Sequence, residues 1–397
     1  MTVTVNEAKE KIILSTKALP TITKEVETTL GFVLAKDVLA SMSLPSFRQS
    51  SMDGYAIIHS DITGSGISLK IVNESRAGEQ EKQILKSGEA IRIFTGAPVP
   101  DGATAVVMQE HATREKDHVF IHESQVDSGK NVRNIGQQVM KGHVALPKDT
   151  FLSPGSIGFL LGMNIENVEV YCKPKIGILI TGDELAKKGE LLAPGQVYES
   201  NSSMLIAALH QEGILDIEIK YCEDDLNSTI SALAELSEQN DVILTSGGIS
   251  VGDYDFVGQA LEAIGAETVF YKVKQKPGKP LLFAKKEEKL FFALPGNPAS
   301  SLVCYYEYVL PAIRKMSGRT DCFLRSLLMP VKNAYSFNGE RDEFLKATAT
   351  QEFVIPLDGQ ESFAIRSFAI ANAIIYLPVN QNVVAEGDMV EVHLLPG

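Results

Sequence analysis

The sequence lacks the patterns that mark several common classes of protein. It contains only four cysteines, without a CxxC spacing, which we interpret as reduced thiols and not as a disulfide framework or a zinc site. Its seven histidines show no HxxxH or HExxH spacing. Neither a G-x-x-x-x-G-K-[ST] loop nor a G-x-S-x-G elbow is present. These absences count against a P-loop NTPase and an α/β hydrolase.

Long apolar runs are also missing. No run approaches the roughly 18 residues that span a membrane, and the N-terminus has no signal-peptide pattern, so we expect a cytoplasmic protein. The 397 residues, 44% of them hydrophobic and 22% charged, predict a globular chain of two to four domains. A net charge of −13 argues against a nucleic acid or an anionic membrane as partner. An anionic substrate would therefore need a local basic pocket.

The first part of the chain changes from a helical to a β-rich pattern. A helix is predicted over residues 5–17, with Asn6 as its N-cap, and a second helical stretch over residues 23–39. From about residue 45 to residue 146, short β-rich runs alternate with Gly, Pro and Asp turns. This pattern predicts an all-β insert.

From Lys175 onwards, predicted strands over residues 176–181, 216–221 and 242–245 alternate with predicted helices over residues 202–211, 227–238 and 254–264. This alternation predicts a parallel, three-layer α/β domain that ends in a long helix over residues 298–315. Ligands are expected at the carboxyl ends of its strands. After about Arg319 the chain returns to short strands, which predict a small β-barrel or sandwich.

The most informative segment is residues 245–255, TSGGISVGDYD. It follows a buried strand, and its glycines allow a tight turn and a close approach of the backbone to a ligand. Asp253 and Asp255 close the segment where a helix is predicted to begin. A strand, a glycine turn and a helix N-terminus together form a site for an anion or a phosphate. A purely structural turn is the alternative for this segment taken alone.

Acidic residues also follow two other strands of the predicted domain. Glu184 belongs to the TGDE motif after the first strand, and Asp224 and Asp225 follow the second. Each could be a solvated acid that caps a helix. Together they would converge on one edge of the sheet, where carboxylates and substrate phosphate oxygens suit Mg²⁺.

Two proline-containing loops complete the candidate site. In the first, KPGKP, a stiff loop carries Lys276 and Lys279, which could hold an anion, although an exposed basic loop is the simpler interpretation. The second, LPGNP, ends at Pro298 ahead of the long helix, where a turn with proline near the first helical position is equally expected.

The order of the motifs resembles one family. SMDGYA, RIFTGAPVP, NVRNIG, TGDEL, YESNSSML, TSGGISVGDYDF, KPGKP and LPGNPASS occur in this order. This set resembles the molybdopterin molybdenumtransferases of the MoeA type, which are related to the C-terminal E domain of gephyrin. The resemblance implies the last step of molybdenum cofactor synthesis, in which molybdate is inserted into adenylylated molybdopterin with Mg²⁺ and AMP leaves. It also implies a homodimer in which the insert of one subunit completes the cleft of the other, and a contact with the molybdopterin adenylyltransferase.

The resemblance assigns roles to individual residues. Residues implied in catalysis are Glu184, Asp224, Asp255, Asp53 and Thr95, and Glu184 and Asp255 are also implied as metal ligands. Residues implied in substrate binding are Ser246, Gly247, Gly248, Ser250, Gly252, Lys272, Lys276, Lys279, Pro298, Arg341 and Ser367. Among these, Arg341 and Ser367 would form the molybdate pocket with the lysines, because a dianion is held by N–H donors.

The predicted fold is a multidomain α/β architecture. It consists of an elongated N-terminal domain (residues 1–45 and 140–172), a β-rich insert (46–139), a three-layer α/β molybdopterin-binding domain (173–326) and a C-terminal β-barrel (327–397). The family has an acidic pair where this chain has Gln137 and Gln138. Because of this difference, the chain could be a slower enzyme or a specialised paralogue. A non-catalytic scaffold and a molybdopterin adenylyltransferase are the alternative functions.

Overall fold

The fold is described from a computed structural model, which covers residues 2–78, 83–182, 184–186, 189, 191–247, 249, 256–336, 340–379, 381 and 383–397. Along the chain it comprises a helix with a small β unit, a β insert, an α/β region and a C-terminal β region. Within the described part of the chain, no helix has both the length and the apolar character needed to cross a membrane.

The chain begins with helix α1 (Val5–Ser15). Its N-cap is Thr4, not Asn6 as predicted, because Glu7 completes a reciprocal capping box with Thr4. The buried face of α1 packs into the core of the α/β region.

The predicted second helix is wrong. The segment of residues 23–39 instead contains the end of strand β1 (Thr21–Glu25), a 3₁₀ turn (Val26–Thr28) and strand β2 (Val38–Leu39), with turns and isolated bridges between the last two. The segment is rich in β-branched residues, which fit a strand better than a helix. A partner strand further along the chain provides the backbone hydrogen bonds that β1 needs.

The insert is all β, as predicted. Its strands are β3 (Gln49–Ser50), β4 (Gly54–Ile57), β5 (Ile67–Ser75), β6 (Glu89–Ile93), β7 (Ala105–Met108), β8 (Ala112–Glu115), β9 (His118–Ile121) and β10 (Val132–Arg133). Six of them form one sheet in the order β7-β4-β6-β5-β9-β8. Alternate residues of β4 enter two cores, Tyr55 and Ile57 on one face and Ala56 on the other, so both faces are covered.

After the insert the chain returns to its first strands. The elements are β11 (Val144–Leu146), α2 (Pro154–Leu161) and β12 (Asn167–Tyr171). Strand β12 pairs with β1, and β11 pairs with β2. A separate core that includes Val26, Leu160 and Val170 joins the two parts of this unit.

The α/β region alternates strands and helices. Its elements are β13 (Ile176–Thr181), β14 (Leu185–Ala186), β15 (Val197–Tyr198), α3 (Asn201–Gln211), β16 (Ile217–Cys222), α4 (Leu226–Gln239), β17 (Val242–Ser246), α5 (Phe256–Ala263), β18 (Glu267–Tyr271), β19 (Gln275–Lys276), β20 (Leu282–Lys286), β21 (Lys289–Leu294), α6 (Pro298–Cys304) and α7 (Leu310–Met316).

The main sheet is mixed, not fully parallel as predicted. Its order is β16-β13-β17-β21-β20-β18. The first four strands are parallel, whereas β20 is antiparallel to both of its neighbours. The physical reason is that Glu287 and Glu288 alone connect β20 to β21, and so short a connection makes a hairpin and cannot make a parallel crossover. Two apolar cores cover the two faces of the sheet and give the predicted three layers.

The predicted long helix over residues 298–315 is continuous but irregular. A π-helical segment, Tyr305–Val309, joins α6 to α7. Pro311 has no N–H to donate to the carbonyl of Glu307, and a wider turn accommodates this missing bond.

The C-terminal region is a β structure that incorporates one strand of the α/β region. Its elements are β22 (Ser326–Pro330), β23 (Tyr335–Ser336), β24 (Asp342–Ala349), β25 (Val354–Pro356), α8 (Ile365–Phe368), β26 (Ala373–Leu377), β27 (Val383–Val384) and β28 (Met389–Leu394). The sheet order is β19-β24-β26-β28-β22, with β25 also paired to β24. Strand β19 lies in the predicted lysine loop, so the sheet joins this loop to the C-terminal region.

Candidate active site

The carboxyl ends of three parallel strands meet at one edge of the α/β sheet. Strand β13 lies between β16 and β17, and its Thr181 pairs in register with Cys222, the last residue of β16. Loops from all three strands therefore leave the sheet side by side. They surround a cavity of about 670 Å³, which is within the usual size range of a small-molecule site.

The cavity brings together five of the predicted residues. Its described lining is Ile180, Thr181, Glu184, Leu185, Val197, Tyr198, Glu199, Ser200, Asn201, Asp224, Ser246, Gly247, Ile249, Pro280, Pro295, Gly296, Asn297, Pro298 and Phe363. Glu184, Asp224, Ser246, Gly247 and Pro298 are the predicted members of this set. Four other predicted residues, Asp255, Gly248, Ser250 and Gly252, lie outside the described residues, as does Asp253.

The two neighbouring acids Asp224 and Asp225 have different roles. Asp224 lines the cavity. Asp225 is the N-cap of α4 and accepts hydrogen bonds from the backbone N–H groups of Asn227 and Ser228, at 2.9 and 3.1 Å. The bonds from Ser228 and Asn227 lower the pKa of Asp225. The interpretation as a helix cap is therefore right for Asp225, whereas Asp224 belongs to the cavity lining.

Gly247 is required by a close approach of two strand ends. Its φ of +99° lies in the region that favours glycine, and a Cβ atom there would lie 2.4 Å from the carbonyl oxygen of Thr181. A side chain at this position would separate β13 from β17. The first glycine of the turn thus keeps the loops after Thr181 and Ser246 together at the cavity.

Asn201 is a site residue that the sequence did not single out. It begins α3, and its Nδ2 donates to Ser246 Oγ at 2.8 Å and to the carbonyl of Gly296 at 2.7 Å. Its Oδ1 and the Oγ1 of Thr181 are buried without a hydrogen-bond partner within the described chain. Such buried polar atoms at a cavity are available to a ligand. The only sequence pattern that could have indicated Asn201 is the YESNSS motif at the start of this helix. The roles of the side chains in that motif depend on tertiary contacts, which the sequence does not show.

The predicted lysines lie beside the cavity and not in its described lining. Of residues 272–280, only Pro280 is in that lining. Lys276 Nζ lies 3.1 Å from Oε1 of Glu343, a pairing that follows from the register of β19 with β24. Lys272 Nζ lies over the ring of Tyr271, 4.7 Å from its centroid. Lys279 is exposed.

The lysine loop is rigid, and backbone pairing brings it to Arg341. The side chain of buried Gln275 donates to the carbonyl of Pro277 at 2.9 Å. The backbone N–H of Asp342 donates to the carbonyl of Lys274 at 3.2 Å, so Arg341 directly precedes the strand that lies opposite this loop. The structure therefore places the backbones of the loop and of Arg341 next to each other.

Ser367 is buried, and its hydroxyl is engaged. It lies in α8 and donates to the carbonyls of Asp358 and Gly359, at 2.6 and 2.9 Å. These contacts stabilise the loop that precedes α8. Its role in binding molybdate stays a prediction.

Asp53 and Thr95 contact each other in the insert, outside the described cavity lining. Asp53 Oδ1 accepts from both the backbone N–H and the hydroxyl of Thr95, each at 2.8 Å. These bonds lower the pKa of Asp53. The Gln137 side chain accepts from the backbone N–H of Asn134 at 3.1 Å, so it closes a local turn.

Comparison with known proteins gives the family. Three family models match: the MoeA N-terminal region (domain I and II) over residues 3–163, a probable molybdopterin binding domain over 177–315 and the MoeA C-terminal region (domain IV) over 329–395. A molybdopterin molybdenumtransferase of Staphylococcus aureus is 31% identical and aligns with 98% of this chain and 95% of its own length. One from Haemophilus influenzae is 36% identical over 80% of this chain and 78% of its own length.

Solved structures agree over the whole chain. A molybdopterin biosynthesis MoeA protein from Pyrococcus horikoshii superposes with a TM-score of 0.84 at 26% identity, covering 99% of this chain and 100% of the other. Another solved structure, of a molybdopterin biosynthesis MoeA protein from Pyrococcus horikosii, gives a TM-score of 0.80 at 28% identity, with both chains fully covered. The fold is thus that of a multidomain protein built around a molybdopterin-binding type of α/β domain. The chain belongs to the MoeA family.

Proposed function

We propose that this protein is a molybdopterin molybdenumtransferase that inserts molybdate into adenylylated molybdopterin, releasing AMP in the last step of molybdenum cofactor synthesis. The observation that carries the proposal is the cavity where three parallel strands end, lined by Glu184, Asp224 and Gly247. It occurs in a chain that matches the MoeA family over nearly its full length. The scaffold and adenylyltransferase alternatives are not favoured, because the matches include the MoeA regions on both sides of the α/β domain.

The cavity suits the phosphate groups of an adenylylated substrate. Helices α3 and α6 both begin at its wall, at Asn201 and Pro298, and a helix N-terminus attracts negative charge. The Oδ1 of Asn201 and the Oγ1 of Thr181, which have no hydrogen-bond partner among the described residues, can orient polar groups of the ligand. In our proposal these residues position the substrate, and the protein supplies no nucleophile.

The residues present fit Mg²⁺. No cluster of three metal-binding side chains occurs among the described residues. Mg²⁺ does not need one, since it commonly uses one or two carboxylates together with substrate phosphate oxygens. Glu184 and Asp224 line the same cavity, and Asp255 follows β17, which ends at that cavity. We propose that Glu184 and Asp255 hold the ion, which when bound would neutralise charge on the phosphate.

The proposal is tested by a molybdenum-insertion assay. Purified protein is incubated with adenylylated molybdopterin, molybdate and Mg²⁺, and the release of AMP and the formation of molybdenum cofactor are measured. Stoichiometric formation of both products supports the proposal. Tight binding of the substrate without either product would contradict the proposal and favour a non-catalytic paralogue. In that case, substitution of Gln137 and Gln138 with Glu would test whether these two residues cause the loss of activity.

We further propose that the lysine loop and Arg341 bind molybdate. Loss of one charge-assisted hydrogen bond costs about 1.5–3 kcal/mol, or roughly tenfold to a hundredfold in affinity. Lys279→Ala and Arg341→Ala are therefore expected to raise the molybdate concentration that gives half-maximal insertion by about that factor. High molybdate should restore the rate, and the affinity for adenylylated molybdopterin should change little.

Lys285→Ala is the matched control for this prediction. Lys285 is a lysine of the same region that faces Glu267 on β18, and its loss should leave the molybdate dependence unchanged. If Lys279→Ala and Arg341→Ala instead weaken the binding of adenylylated molybdopterin and leave the molybdate requirement unchanged, these residues hold the substrate phosphate and the assignment is wrong.

We also propose a cytoplasmic homodimer that contacts the molybdopterin adenylyltransferase. Asp53 and Thr95 are held together in the insert but are not in the described cavity lining, which is the arrangement expected if they complete the cleft of a second subunit. Sedimentation at micromolar concentration is then expected to give about twice the chain mass of 43.2 kDa. A single species at the chain mass would contradict this prediction.

A further inference from the structure

Phe363 is an exposed aromatic residue that the C-terminal region presents at the cavity. It is 67% exposed, although it is a large apolar side chain, and it lines the cavity formed by the α/β region. Ligand cavities are lined mainly by hydrophobic and aromatic side chains, so an accessible aromatic ring at this cavity can contact a ligand. None of the sequence motifs discussed above includes this residue.

The segment that carries Phe363 is fixed to the wall of the cavity. The neighbouring Ser362 accepts a hydrogen bond from Asn297 Nδ2 at its hydroxyl, at 2.8 Å. Its carbonyl accepts from the backbone N–H of Ser300, in the first turn of α6, at 3.3 Å. Both donors belong to the loop and helix that form the cavity wall. Phe363 therefore has a defined position relative to the cavity.

A buried lysine stabilises the same segment from within the C-terminal region. Lys346 Nζ donates to the carbonyls of Gly359, Glu361 and Ala364, at 2.6, 3.1 and 3.2 Å. Ser367 donates to the carbonyls of Asp358 and Gly359, as described above. The loop before α8 is thus held by several side-chain bonds, although its most apolar residue faces the cavity. A rigid loop with one exposed ring is suited to binding a ligand, since little conformational entropy is lost.

We propose that the ring of Phe363 stacks on a planar heteroaromatic ring of the substrate, and so positions the substrate from the C-terminal region. This inference rests on the proposed function, which supplies a substrate with two such rings, adenine and pterin. A phenyl ring can stack on either, because both have a π face. Phe363 would act as a positioning residue, without a part in the chemical step.

The test compares ligands that differ only in the ring. The binding of AMP and of ribose 5-phosphate is measured by calorimetry with wild-type protein, Phe363→Ala and Phe363→Tyr. Stacking of one base on an aromatic side chain corresponds to about tenfold in affinity. Phe363→Ala is expected to lower the affinity for AMP by about tenfold and to change the affinity for ribose 5-phosphate by less than about twofold. Phe363→Tyr should bind AMP with the affinity of the wild type. Leu328→Ala is the control, because Leu328 is 71% exposed on the same region and is not in the described cavity lining.

A second measurement identifies the ring and separates the possible failures. If Phe363→Ala binds AMP normally but weakens adenylylated molybdopterin about tenfold, the stacked ring is the pterin and the inference stands. In either case the KM for adenylylated molybdopterin should rise about tenfold with kcat within about twofold. If Phe363→Ala binds AMP as tightly as the wild type does, and also binds adenylylated molybdopterin as tightly as the wild type does, the inference about Phe363 is wrong while the proposed function stands. A wild-type protein that binds neither ligand overturns the proposed function together with the inference.

Discussion

Glu184→Gln and Asp224→Asn are each expected to lower the rate of molybdenum insertion by roughly tenfold to a hundredfold. Both substitutions keep the shape of the side chain and remove its charge, and each lies in the lining of the cavity. The expected factor is that of losing one charge-assisted contact of about 1.5–3 kcal/mol to the substrate or to a cation that it carries. The rate is measured in the insertion assay at several Mg²⁺ concentrations.

Asp225→Asn is the matched control for these variants. Asp225 is adjacent to Asp224 but caps α4, and asparagine is an equally good N-cap, so both stability and insertion should remain near wild type. A double variant, Glu184→Gln with Asp224→Asn, that inserts molybdenum at the wild-type rate would show that the acids of this cavity are not needed.

Glu307→Gln is expected to cause the largest loss of stability. Glu307 is 3% exposed and accepts from Lys9 Nζ at 2.6 Å and from His393 Nδ1 at 2.7 Å. It thereby connects the first helix, the π-helical segment and the last strand. Removing its charge takes the anionic partner away from Lys9 and weakens the contact with His393. Breaking a buried ion pair costs about 3–5 kcal/mol, and because Lys9 keeps some contact with solvent we expect about 3 kcal/mol.

The free energy of unfolding of this variant is measured by urea denaturation. Glu288→Gln is the control, since Glu288 pairs with Lys17 on the exposed surface and its loss should cost less than about 1 kcal/mol. A similar small effect at both positions would show that the buried network does not stabilise the fold.

The same network predicts a pH dependence of stability. Burial would raise the pKa of Glu307, but Lys9 and His393 outweigh it and lower the pKa from 4.5 to about 2. The stabilisation that ionised Glu307 gives to the folded state is therefore present above pH 4.5 and lost as the pH falls towards 2.

His393 gives the second pH dependence of stability. Burial would lower the pKa of His393, but the contact with Glu307 outweighs burial and raises this pKa above its ordinary 6.5. Glu391 contacts the other ring nitrogen. His393 stabilises the fold below pH 6.5, and this stabilisation is lost as the pH rises through the raised pKa. His393→Gln should therefore remove this alkaline limb and also reduce the acid limb, because His393 helps to lower the pKa of Glu307.

The sequence predicts the elements of the α/β region well because each combines a clear apolar pattern with a local stop signal. Strand β13 occurs over the predicted residues 176–181, α3 and β17 are each one residue longer than predicted at one end, and α4 is one residue longer at both ends. The segment at residues 23–39 was mispredicted because its strand is stabilised by β12, more than 140 positions further along the chain. Periodicity within a short window cannot detect such a partner.

The site could be predicted only where a residue follows a strand directly. Glu184, Asp224, Ser246 and Gly247 are fixed by the ends of three parallel neighbours, so strand assignment alone brings them together. Asn201 and Phe363 could not be found in this way. The role of Asn201 depends on hydrogen bonds to Ser246 and Gly296, and that of Phe363 depends on how the C-terminal region docks on α6.

The C-terminal sheet contains a strand from the α/β region, and this limits how the chain can be divided. Strand β19 (Gln275–Lys276) pairs with the first residues of β24, Asp342 and Glu343. A fragment that starts near residue 327 would therefore lack a strand of its own sheet and leave backbone N–H and C=O groups at that edge unpaired. Unpaired sheet edges promote association between chains. We expect such a fragment to aggregate when expressed alone, and to become soluble when a peptide covering residues 270–282 is fused to it.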